Sequence, residues 1–401
     1  MSFSTLAALA TTISKGTTPT SIGLAFAESG IPFIRGENVI GGEVDTTSAT
    51  HYISIAAHKK LNRSALRSGD VLVTIAGTIG RIGFLGSDLQ AANCNQAVAF
   101  IRCDQSQVCS EWLCLLLRSP FYQSRFGERV AGGAIPNVSL QQIGSLAIPL
   151  VGLKEQRQIA ACLKAQLAEV ETALQAAQKQ LQDAALLRTR LLRQTFEALR
   201  DTPRKVLGKH ARTTSGSTPP RGDKRFWSPA EIAWVKTGEV AFAAITATEE
   251  AVSRQALAEC SLTLLPPGTI LVAMYGQGKT RGQSAILEIA ATTNQACFAI
   301  FPNDTWDTDF LYHWLMASYE VLRNLSEGRG GNQANLNGGL LNALQIPSPN
   351  IDEQRRIVER LKAQLAKVDA IQQAAAARLA EIKRMPQRLL AQAFSTKGDT
   401  P

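Results

Sequence analysis

The feature that most constrains this chain is a long helical stretch that occurs twice, at 153–199 and again at about 351–394. The segment KEQRQI at 154–159 is matched by DEQRRI at 352–357, and LKAQLA at 163–168 recurs unchanged at 361–366. Both matches lie 198 positions apart. A constant offset indicates an internal duplication, so any fold must contain two equivalent helices.

Apolar residues recur in both copies at alternating spacings of three and four, which is typical of a coiled-coil seam. The positions are Ile159, Leu163, Leu167, Val170, Leu174, Ala177 and Leu181, then Ile357, Leu361, Leu365, Val368 and Ile371. Lys, Glu, Gln and Ala lie between them and favour helix. At about 1.5 Å per residue each helix would be roughly 65–70 Å long. Two similar stripes most economically bury each other; the alternative is that each helix covers only its own domain.

Length and composition indicate an ordinary globular protein. The 401 residues predict two or three domains. With 45% hydrophobic and 19% charged residues, no apolar run is long enough to span a bilayer. Residues 1–12 lack the basic start and cleavage pattern of a signal peptide. Seven cysteines without a CxxC pair are typical of a reduced compartment. We therefore expect a cytoplasmic protein with no membrane partner.

The charge balance is basic. The formal net charge is +9 and the sequence pI is about 9.3. This balance favours an anionic partner, and nucleic acid before a membrane, because the chain shows no basic amphipathic anchor.

The repeat extends beyond the helices into two globular parts. The paired segments are KGTTP at 15–19 with SGSTP at 215–219, PFIR at 32–35 with AWVK at 233–236, SGDVLV at 68–73 with PGTILV at 267–272, NQA at 95–97 with NQA at 294–296, and IP at 148–149 with IP at 346–347. Short strands, glycine loops and few helices predict α+β domains. The expected division is 1–150, a globular domain; 151–200, a helical region; 201–348, a second globular domain; and 349–401, a second helical region with a tail.

The order of these motifs, repeated twice, resembles the specificity (S) subunit of type I restriction–modification systems. The helix entrances at 148–159 and 346–357 carry most of the resemblance, and the Gly-Thr-Thr-Pro and Gly-Ser-Thr-Pro segments, the strand at 32–35 and the Asn-Gln pairs add to it. The resemblance covers essentially the whole chain.

This resemblance implies two globular target-recognition domains, each reading one half of a bipartite site in double-stranded DNA. It implies that the two long helices pair antiparallel and dock two methyltransferase (M) subunits, with a motor/nuclease (R) subunit joining for restriction. The chain would be non-catalytic and hold no cofactor, since S-adenosylmethionine belongs to the methyltransferase partner.

The residues agree that catalysis is not encoded here. The Asn/Asp-Pro-Pro-aromatic signature of amino-methyltransferases does not occur, since Pro219-Pro220 follows a threonine. The four histidines show no ligand or triad spacing. The segment Gly278-Lys279-Thr280 resembles the end of a phosphate-binding loop, but Ala273 replaces the first glycine and no helical pattern follows.

DNA contact is the better interpretation of the glycine loops AGTIGR at 76–81 and YGQGKTR at 275–281, because cationic and amide side chains meet phosphates and base edges. The candidate DNA-binding residues are Lys15, Thr17, Arg35, Asn38, Thr78, Arg81, Arg129, Asn137, Arg221, Lys224, Arg225, Lys236, Tyr275, Gln277, Lys279, Arg281, Arg329, Asn332 and Gln333. Any one of them could be plain solvated surface. Asn95 and Asn294, each just before an apolar run, are better explained as structural turn residues.

The rival class is a coiled-coil scaffold whose globular heads bind other proteins. The basic charge and the polar glycine loops favour DNA over this alternative.

Overall fold

The computed structural model describes residues 2–47, 51–86, 91–128, 137–276, 278–327 and 335–395. The chain divides into two compact units, one of Met1–Gln178 with Ala377–Pro401 and the other of Lys179–Ala376. Each unit therefore combines one globular part with portions of both long helices. We refer to them as unit 1 and unit 2.

The globular part of unit 1 is built from short strands and short helices. Its strands are β1 (Ser2–Thr5), β2 (Ala10–Lys15), β3 (Ile31–Ile34), β4 (Val39–Ile40), β5 (Glu43–Val44), β6 (Tyr52–Ile53), β7 (Ala65–Leu66), β8 (Val71–Thr74), β9 (Ile82–Phe84), β10 (Ala92–Cys94), β11 (Val98–Cys103) and β12 (Ala147–Leu150). Its helices are α1 (Leu6–Leu9), α2 (Ile55–Lys60), α3 (Ser110–Leu117), α4 (Pro120–Glu128) and α5 (Leu140–Gly144).

These strands form three sheets. One has the order β2-β11-β8-β9-β5-β4, another the order β6-β3-β10-β7, and β1 pairs with β12. Most pairings are antiparallel, but β3 and β10 are parallel, so both end at the same edge. The core lies between the first sheet and α3, where Trp112 and Leu113 are buried.

The first long helix is α6 (Leu153–Glu197). The globular part of unit 2 then repeats the arrangement of unit 1. Its strands are β13 (Arg204–Val206), β14 (Thr213–Ser215), β15 (Ile232–Val235), β16 (Ala244–Ile245), β17 (Glu250–Val252), β18 (Ile270–Ala273), β19 (Ser284–Leu287), β20 (Ala291–Thr293), β21 (Cys297–Ile300) and β22 (Gln345–Pro347). Its helices are α7 (Leu207–His210), α8 (Arg254–Glu259), α9 (Thr308–Ala317), α10 (Tyr319–Glu327) and α11 (Gly338–Asn342), and the second long helix is α12 (Ile351–Phe394).

The sheets that the structure describes in unit 2 repeat those of unit 1, with one strand fewer in each of the two larger sheets. Their orders are β14-β21-β18-β19-β16 and β17-β15-β20, with β13 paired to β22. The β15–β20 pair is parallel, as is β3–β10. The α+β class and the internal repeat are confirmed.

The long helices carry the expected seam. In α6, Leu163 and Ala177 are buried, and in α12 Leu361, Leu365 and Val368 are buried. One predicted seam position is wrong, because Ile371 is 52% exposed. After Val368 the inward face advances by four residues to Gln372 and then to Ala375, so Ile371 falls outside the stripe.

Each long helix begins with a buried glutamine that ties it to its globular part. In unit 1, Gln156 Oε1 accepts from the Cys109 N–H at 2.8 Å, and its Nε2 donates to the carbonyls of Gln107 and Val151. In unit 2, Gln354 Oε1 accepts from the Asp307 N–H at 2.8 Å, and its Nε2 donates to two carbonyls in the same way. The duplicated sequence thus encodes a duplicated joint at the entrance of each helix.

Within each unit, the first turns of one long helix pack against the last turns of the other long helix. In unit 1, Leu163 near the start of α6 shares a core with Leu390 near the end of α12, and the Phe394 ring meets Trp112 with centroids 6.2 Å apart. In unit 2, Phe196 near the end of α6 meets Phe310 at 5.4 Å and shares a core with Leu361 near the start of α12. The two helices therefore run antiparallel.

None of the helices that the structure describes combines the length and the hydropathy of a membrane span.

Candidate nucleic-acid interface

The candidate site in unit 1 is built at the edge where β3 and β10 end together. Because the two strands are parallel, Arg35 and Asn95 follow them side by side, and the Asn95 N–H donates to the Ile34 carbonyl at 3.1 Å. Asn95 Oδ1 accepts from the Ala97 N–H at 3.2 Å, which closes a turn. The predicted role of Asn95 as a structural turn residue is confirmed. The Asn-Gln loop at 95–97 lies in the middle of this edge.

Two other loops bond directly to this Asn-Gln loop. The Thr17 N–H donates to the Cys94 carbonyl at 3.1 Å, and the Thr18 hydroxyl donates to Gln96 Oε1. On the other side, the Ile75 N–H donates to the Ala97 carbonyl at 2.8 Å. Gly16 is required by this packing, because a Cβ built on it would lie 1.9 Å from the Cys94 carbonyl oxygen.

The first glycine loop, 76–81, completes the site of unit 1. Thr78 is exposed at its tip, and Arg81 reaches back to donate from Nη1 to the Gly36 carbonyl at 3.2 Å. Ala76 forms a β-bridge with Asn137, which is also exposed. These contacts place Arg81 beside the turn that follows β3.

The structure brings six of the predicted residues of unit 1 to one edge. They are Lys15, Thr17, Arg35, Thr78, Arg81 and Asn137. Asn38 is different, since it is 5% exposed and its Oδ1 accepts from the Arg35 N–H at 2.9 Å. Its side chain shapes the turn that carries Arg35, which counts against a direct base contact.

Unit 2 repeats this edge with different side chains. The Asn294 N–H donates to the Val235 carbonyl, and Asn294 Oδ1 accepts from the Ala296 N–H at 3.1 Å, which confirms its turn role. The Thr218 hydroxyl donates to Gln295 Oε1, as Thr18 does to Gln96 in unit 1. Gly216 makes the same close approach as Gly16, to the Thr293 carbonyl.

The cations of this second edge are held by carboxylates. Lys236 Nζ lies 2.6 Å from Glu249 Oε2 and 3.1 Å from Glu250 Oε1, and Arg221 Nη1 bonds the other oxygen of Glu250. The hydrogen bonds that Lys236 donates to Glu249 and Glu250 raise the pKa of Lys236, and the hydrogen bond that Arg221 donates lowers the pKa of Glu250. Nearby, Arg225 pairs with Asp223 at 2.7 Å. Lys236, Glu250, Asp223 and Arg225 therefore stay charged at neutral pH.

The second glycine loop, 275–281, is fastened to α10. The Tyr319 hydroxyl donates to the Lys279 carbonyl at 2.6 Å, and Arg323 donates to the Arg281 carbonyl at 3.2 Å. Tyr275 and Lys279 are exposed, whereas Arg281 is only 9% exposed. A turn and strand β19 follow the loop, where a phosphate-binding loop requires a helix, so the rejection of that motif is confirmed.

Five predicted residues lie outside the described residues: Arg129, Gln277, Arg329, Asn332 and Gln333. Lys224 is described and exposed, in the short 3₁₀ turn at 224–226, and forms no ion pair with any residue that the structure describes.

The sequence prediction omitted three kinds of side chain at these edges. Gln96 and Gln295 are exposed at the tips of the Asn-Gln loops. Because the Asn-Gln pair occurs in both halves of the sequence, this repeat could have identified them. Trp227 stacks with the Arg221 guanidinium, 4.1 Å from the ring centroid, and Glu250 binds the same group. Nothing local in the sequence pairs residues 221, 227 and 250. Among the described residues, no group of three His, Cys, Asp or Glu side chains is placed to hold a metal ion.

A comparison with protein-family models decides the family. The model described as the type I restriction modification DNA specificity domain matches twice, at residues 3–180 and 214–383, and so covers most of the chain. The chain belongs to this DNA specificity family. Each match covers most of one globular part and most of the long helix that follows it.

Curated members of the family align over part of their length. The specificity subunit of the EcoR124I/EcoR124II type I restriction enzyme of Escherichia coli is 27% identical over 158 residues, which are 39% of this chain and 39% of that protein. The MjaIX specificity subunit of Methanocaldococcus jannaschii is 32% identical over 146 residues, 35% of this chain and 33% of that protein. The chain thus spans well under two thirds of these curated relatives.

Solved structures share the fold over the whole length of this chain. A chain from a type I restriction–modification system, studied for its complex assembly and conformational transition, has a TM-score of 0.76 at 21% identity, covering 100% of this chain and 98% of that one. The HsdS subunit from Thermoanaerobacter tengcongensis has a TM-score of 0.63 at 20% identity, covering 100% and 97%. At these identities the likeness concerns the fold.

Proposed function

We propose that this chain is the sequence-specific, non-catalytic DNA-binding subunit of a type I restriction–modification complex, and that each globular part reads one half of a bipartite site in double-stranded DNA. The observation that carries the proposal is the edge built twice around an Asn-Gln loop, at 95–97 and 294–296. Phosphate contacts position a protein on DNA, and amide and guanidinium groups read base edges, so such an edge supplies both functions.

The residues proposed to contact DNA are those that are exposed or half-buried at the two edges. In unit 1 they are Lys15, Thr17, Arg35, Thr78, Arg81, Gln96 and Asn137, and in unit 2 they are Arg221, Lys224, Arg225, Lys236, Tyr275, Lys279 and Gln295. Arg129, Gln277, Arg329, Asn332 and Gln333 keep this proposed role from the sequence. Asn38 and Arg281 are buried, so we assign them to holding the loops in place.

The long helices are proposed to dock two methyltransferase (M) subunits, which hold S-adenosylmethionine, and a motor/nuclease (R) subunit joins for restriction. The exposed faces of α6 and α12, rich in Lys, Gln and Glu, are the surface left for these partners. The corresponding division is 1–150 and 201–348 for recognition, and 151–200 and 349–401 for docking. We propose that the complex acts on DNA in the cytoplasm.

An electrophoretic mobility assay tests the proposal. The purified chain, alone and with co-expressed methyltransferase, is titrated onto duplex DNA at several salt concentrations. We expect log affinity to fall linearly with log salt by about 0.9 for each phosphate neutralised. Binding that is unchanged between low and moderate salt, or absent with the methyltransferase present, would favour the protein-binding scaffold instead.

A further inference from the structure

Arg221 occupies an unusual setting on the edge of unit 2. Its guanidinium carbon lies 4.1 Å from the ring centroid of Trp227 and 4.9 Å from that of Trp234, while Nη1 donates to Glu250. The side chain is nevertheless 54% exposed. Its Nε and Nη2 groups have no hydrogen-bond partner among the residues that the structure describes. The Arg221 guanidinium is therefore fixed by two aromatic rings and by Glu250, and its Nε and Nη2 donors are available to a ligand.

The groups that hold Arg221 are themselves fixed. The Trp227 indole N–H donates to the Pro220 carbonyl at 3.1 Å, and the Trp234 indole N–H donates to the Ser217 carbonyl at 3.1 Å. Glu250 lies opposite Trp234 in the β15–β17 pair. The Arg221 side chain consequently loses little further freedom when it binds, which is the condition for a selective contact.

The corresponding place in unit 1 keeps the scaffold but not the arginine. Phe26 and Phe33 pack with ring centroids 5.3 Å apart, as Trp227 and Trp234 do at 5.2 Å. His51 lies beside Phe33 where Glu250 lies beside Trp234. The segment between the Thr-Pro pair and Phe26 reads TSIGLA at 20–25 and contains no cation. The two units thus share an aromatic platform and differ in what it presents.

We infer that Arg221 is a base-reading residue of unit 2, that it takes the acceptor edge of a guanine, and that Trp227 and Glu250 are its positioning residues. This inference rests on the proposed DNA-binding function and goes beyond it by assigning a residue and a base.

The charge beside Arg221 favours a base over a phosphate. A phosphate brought to Arg221 would also meet the Glu250 carboxylate, and two like charges at that distance repel. Guanine O6 and N7 are neutral acceptors spaced for bidentate binding by one guanidinium, so they gain the hydrogen bonds without that repulsion.

The first experiment substitutes Arg221→Ala in the complex with co-expressed methyltransferase. The target is first found by sequencing methylated bases in cells that express the system, and affinity is then measured by fluorescence anisotropy on duplexes with each position varied, at several salt concentrations. We expect about tenfold to hundredfold weaker binding to the target, loss of preference for guanine at one position, and an unchanged salt slope. Arg221→Lys should restore affinity only in part, because an ammonium cannot bind in the bidentate manner.

The second experiment uses Glu250→Gln, which keeps the shape and removes the charge. We expect preference at that same position to fall while the salt slope steepens, since Arg221 and Lys236 would no longer be neutralised. Arg254→Ala is the matched control, because Arg254 pairs with Glu231 at the opposite end of the β15–β17 pair. It should change neither affinity nor preference, and equal melting temperatures would show that all variants fold.

Two outcomes overturn the inference and leave DNA binding intact. Uniform loss of affinity with a salt slope reduced by about 0.9 would make Arg221 a phosphate contact. Wild-type affinity and preference in Arg221→Ala would remove it from the interface. Failure of the proposed function itself is distinguishable, because the unsubstituted complex would then show no salt-dependent binding at all.

Discussion

At the scale of single residues, two buried glutamines, Gln156 and Gln354, attach the long helices to the globular parts. Each is fully buried and uses its whole amide, with one backbone N–H donated to Oε1 and two carbonyls bound by Nε2. The N–H groups they accept, of Cys109 and Asp307, belong to the N-cap residues of α3 and α9. A buried N–H without a partner is costly, so the glutamines join each long helix to its globular part.

We predict that Gln354→Ala destabilises unit 2 by at least about 1–3 kcal/mol, because it leaves the Asp307 N–H and two carbonyls buried without partners. Gln156→Ala should do the same in unit 1. Urea denaturation followed by circular dichroism measures the change. The matched controls are Gln158→Ala and Gln364→Ala, exposed glutamines of the same helices, which should shift stability by less than about 0.5 kcal/mol. Equal losses of stability at the buried and the exposed glutamines would show that Gln156 and Gln354 do not hold the long helices to the globular parts.

His313 in α9 gives unit 2 a dependence on pH. It is 6% exposed, and its Nδ1 lies 2.7 Å from the Asp309 carbonyl. Burial lowers the pKa of His313, the Asp309 carbonyl and carboxylate raise it, and the positive charges of Lys362 and Arg188 lower it further. The net direction is downward, so the folded state favours the neutral ring.

We predict that unit 2 loses stability as pH falls below about 6.5, the ordinary histidine value, because the unfolded chain then binds a proton that the folded chain refuses. Above that pH, the histidine is neutral in both states and contributes no slope. Thermal melts of the wild type and of His313→Gln between pH 5 and pH 8 measure the effect. The difference in melting temperature between them should narrow or reverse at low pH, and parallel curves would contradict the assignment.

At the scale of secondary-structure elements, α12 carries two residues of similar hydrophobicity in opposite environments, one on its buried face and one exposed. Leu365 is 5% exposed and shares a core with Leu192 and Phe196 of α6, whereas Ile371 is 52% exposed. Burying an unpaired charge in an apolar seam is expensive, and an exposed helix position accepts it. The same helix thus offers a test and its own control.

We predict that Leu365→Asp destabilises unit 2 by more than about 3 kcal/mol and abolishes co-purification of the methyltransferase subunits. Ile371→Asp should alter the melting temperature by no more than a degree or two. Denaturation and affinity pull-down from cells that co-express the methyltransferase provide the measurements. Retention of two methyltransferase copies by the Leu365 variant would contradict the role of the helix pair in docking.

At the scale of the whole molecule, the long helices connect the two proposed recognition surfaces. Both compact units draw on both helices, and they divide after Gln178 in α6 and after Ala376 in α12. If each unit reads its own half-site, the length of helix between them sets the gap in the DNA sequence.

We predict that seven residues inserted after Lys179, with seven more after Ala376 to keep the seams aligned, move the preferred half-sites apart by roughly three base pairs. Seven residues add about 10 Å and rotate the far unit by only about 20° relative to a 3.5-residue repeat, and DNA rises about 3.4 Å per base pair. Selection from a library with fixed half-sites and a variable gap measures the result. Base preferences inside each half-site should persist, and an unchanged gap in a folded variant would show that another feature sets the spacing.

The amino-acid sequence alone determined the duplication, the two long helices and the α+β class of the globular parts. These properties are local, since the alternation of three and four is repeated over many turns and the turn residues lie next to the strands they end. One seam position was nevertheless predicted wrongly. With a helical period of 3.6 residues, the buried stripe passes from Val368 to Gln372, and Ile371 lies outside it.

The tertiary structure decided which polar residues share a surface. Thr17, Arg35, Arg81 and Asn137 reach one edge only because the register of β3 with β10 brings their loops against the Asn-Gln loop. Contacts between residues tens of positions apart depend on sheet pairing, which no local pattern records. For the same reason the burial of Asn38 and Arg281 and the pairing of Arg221 with Glu250 could be learned only from the folded chain.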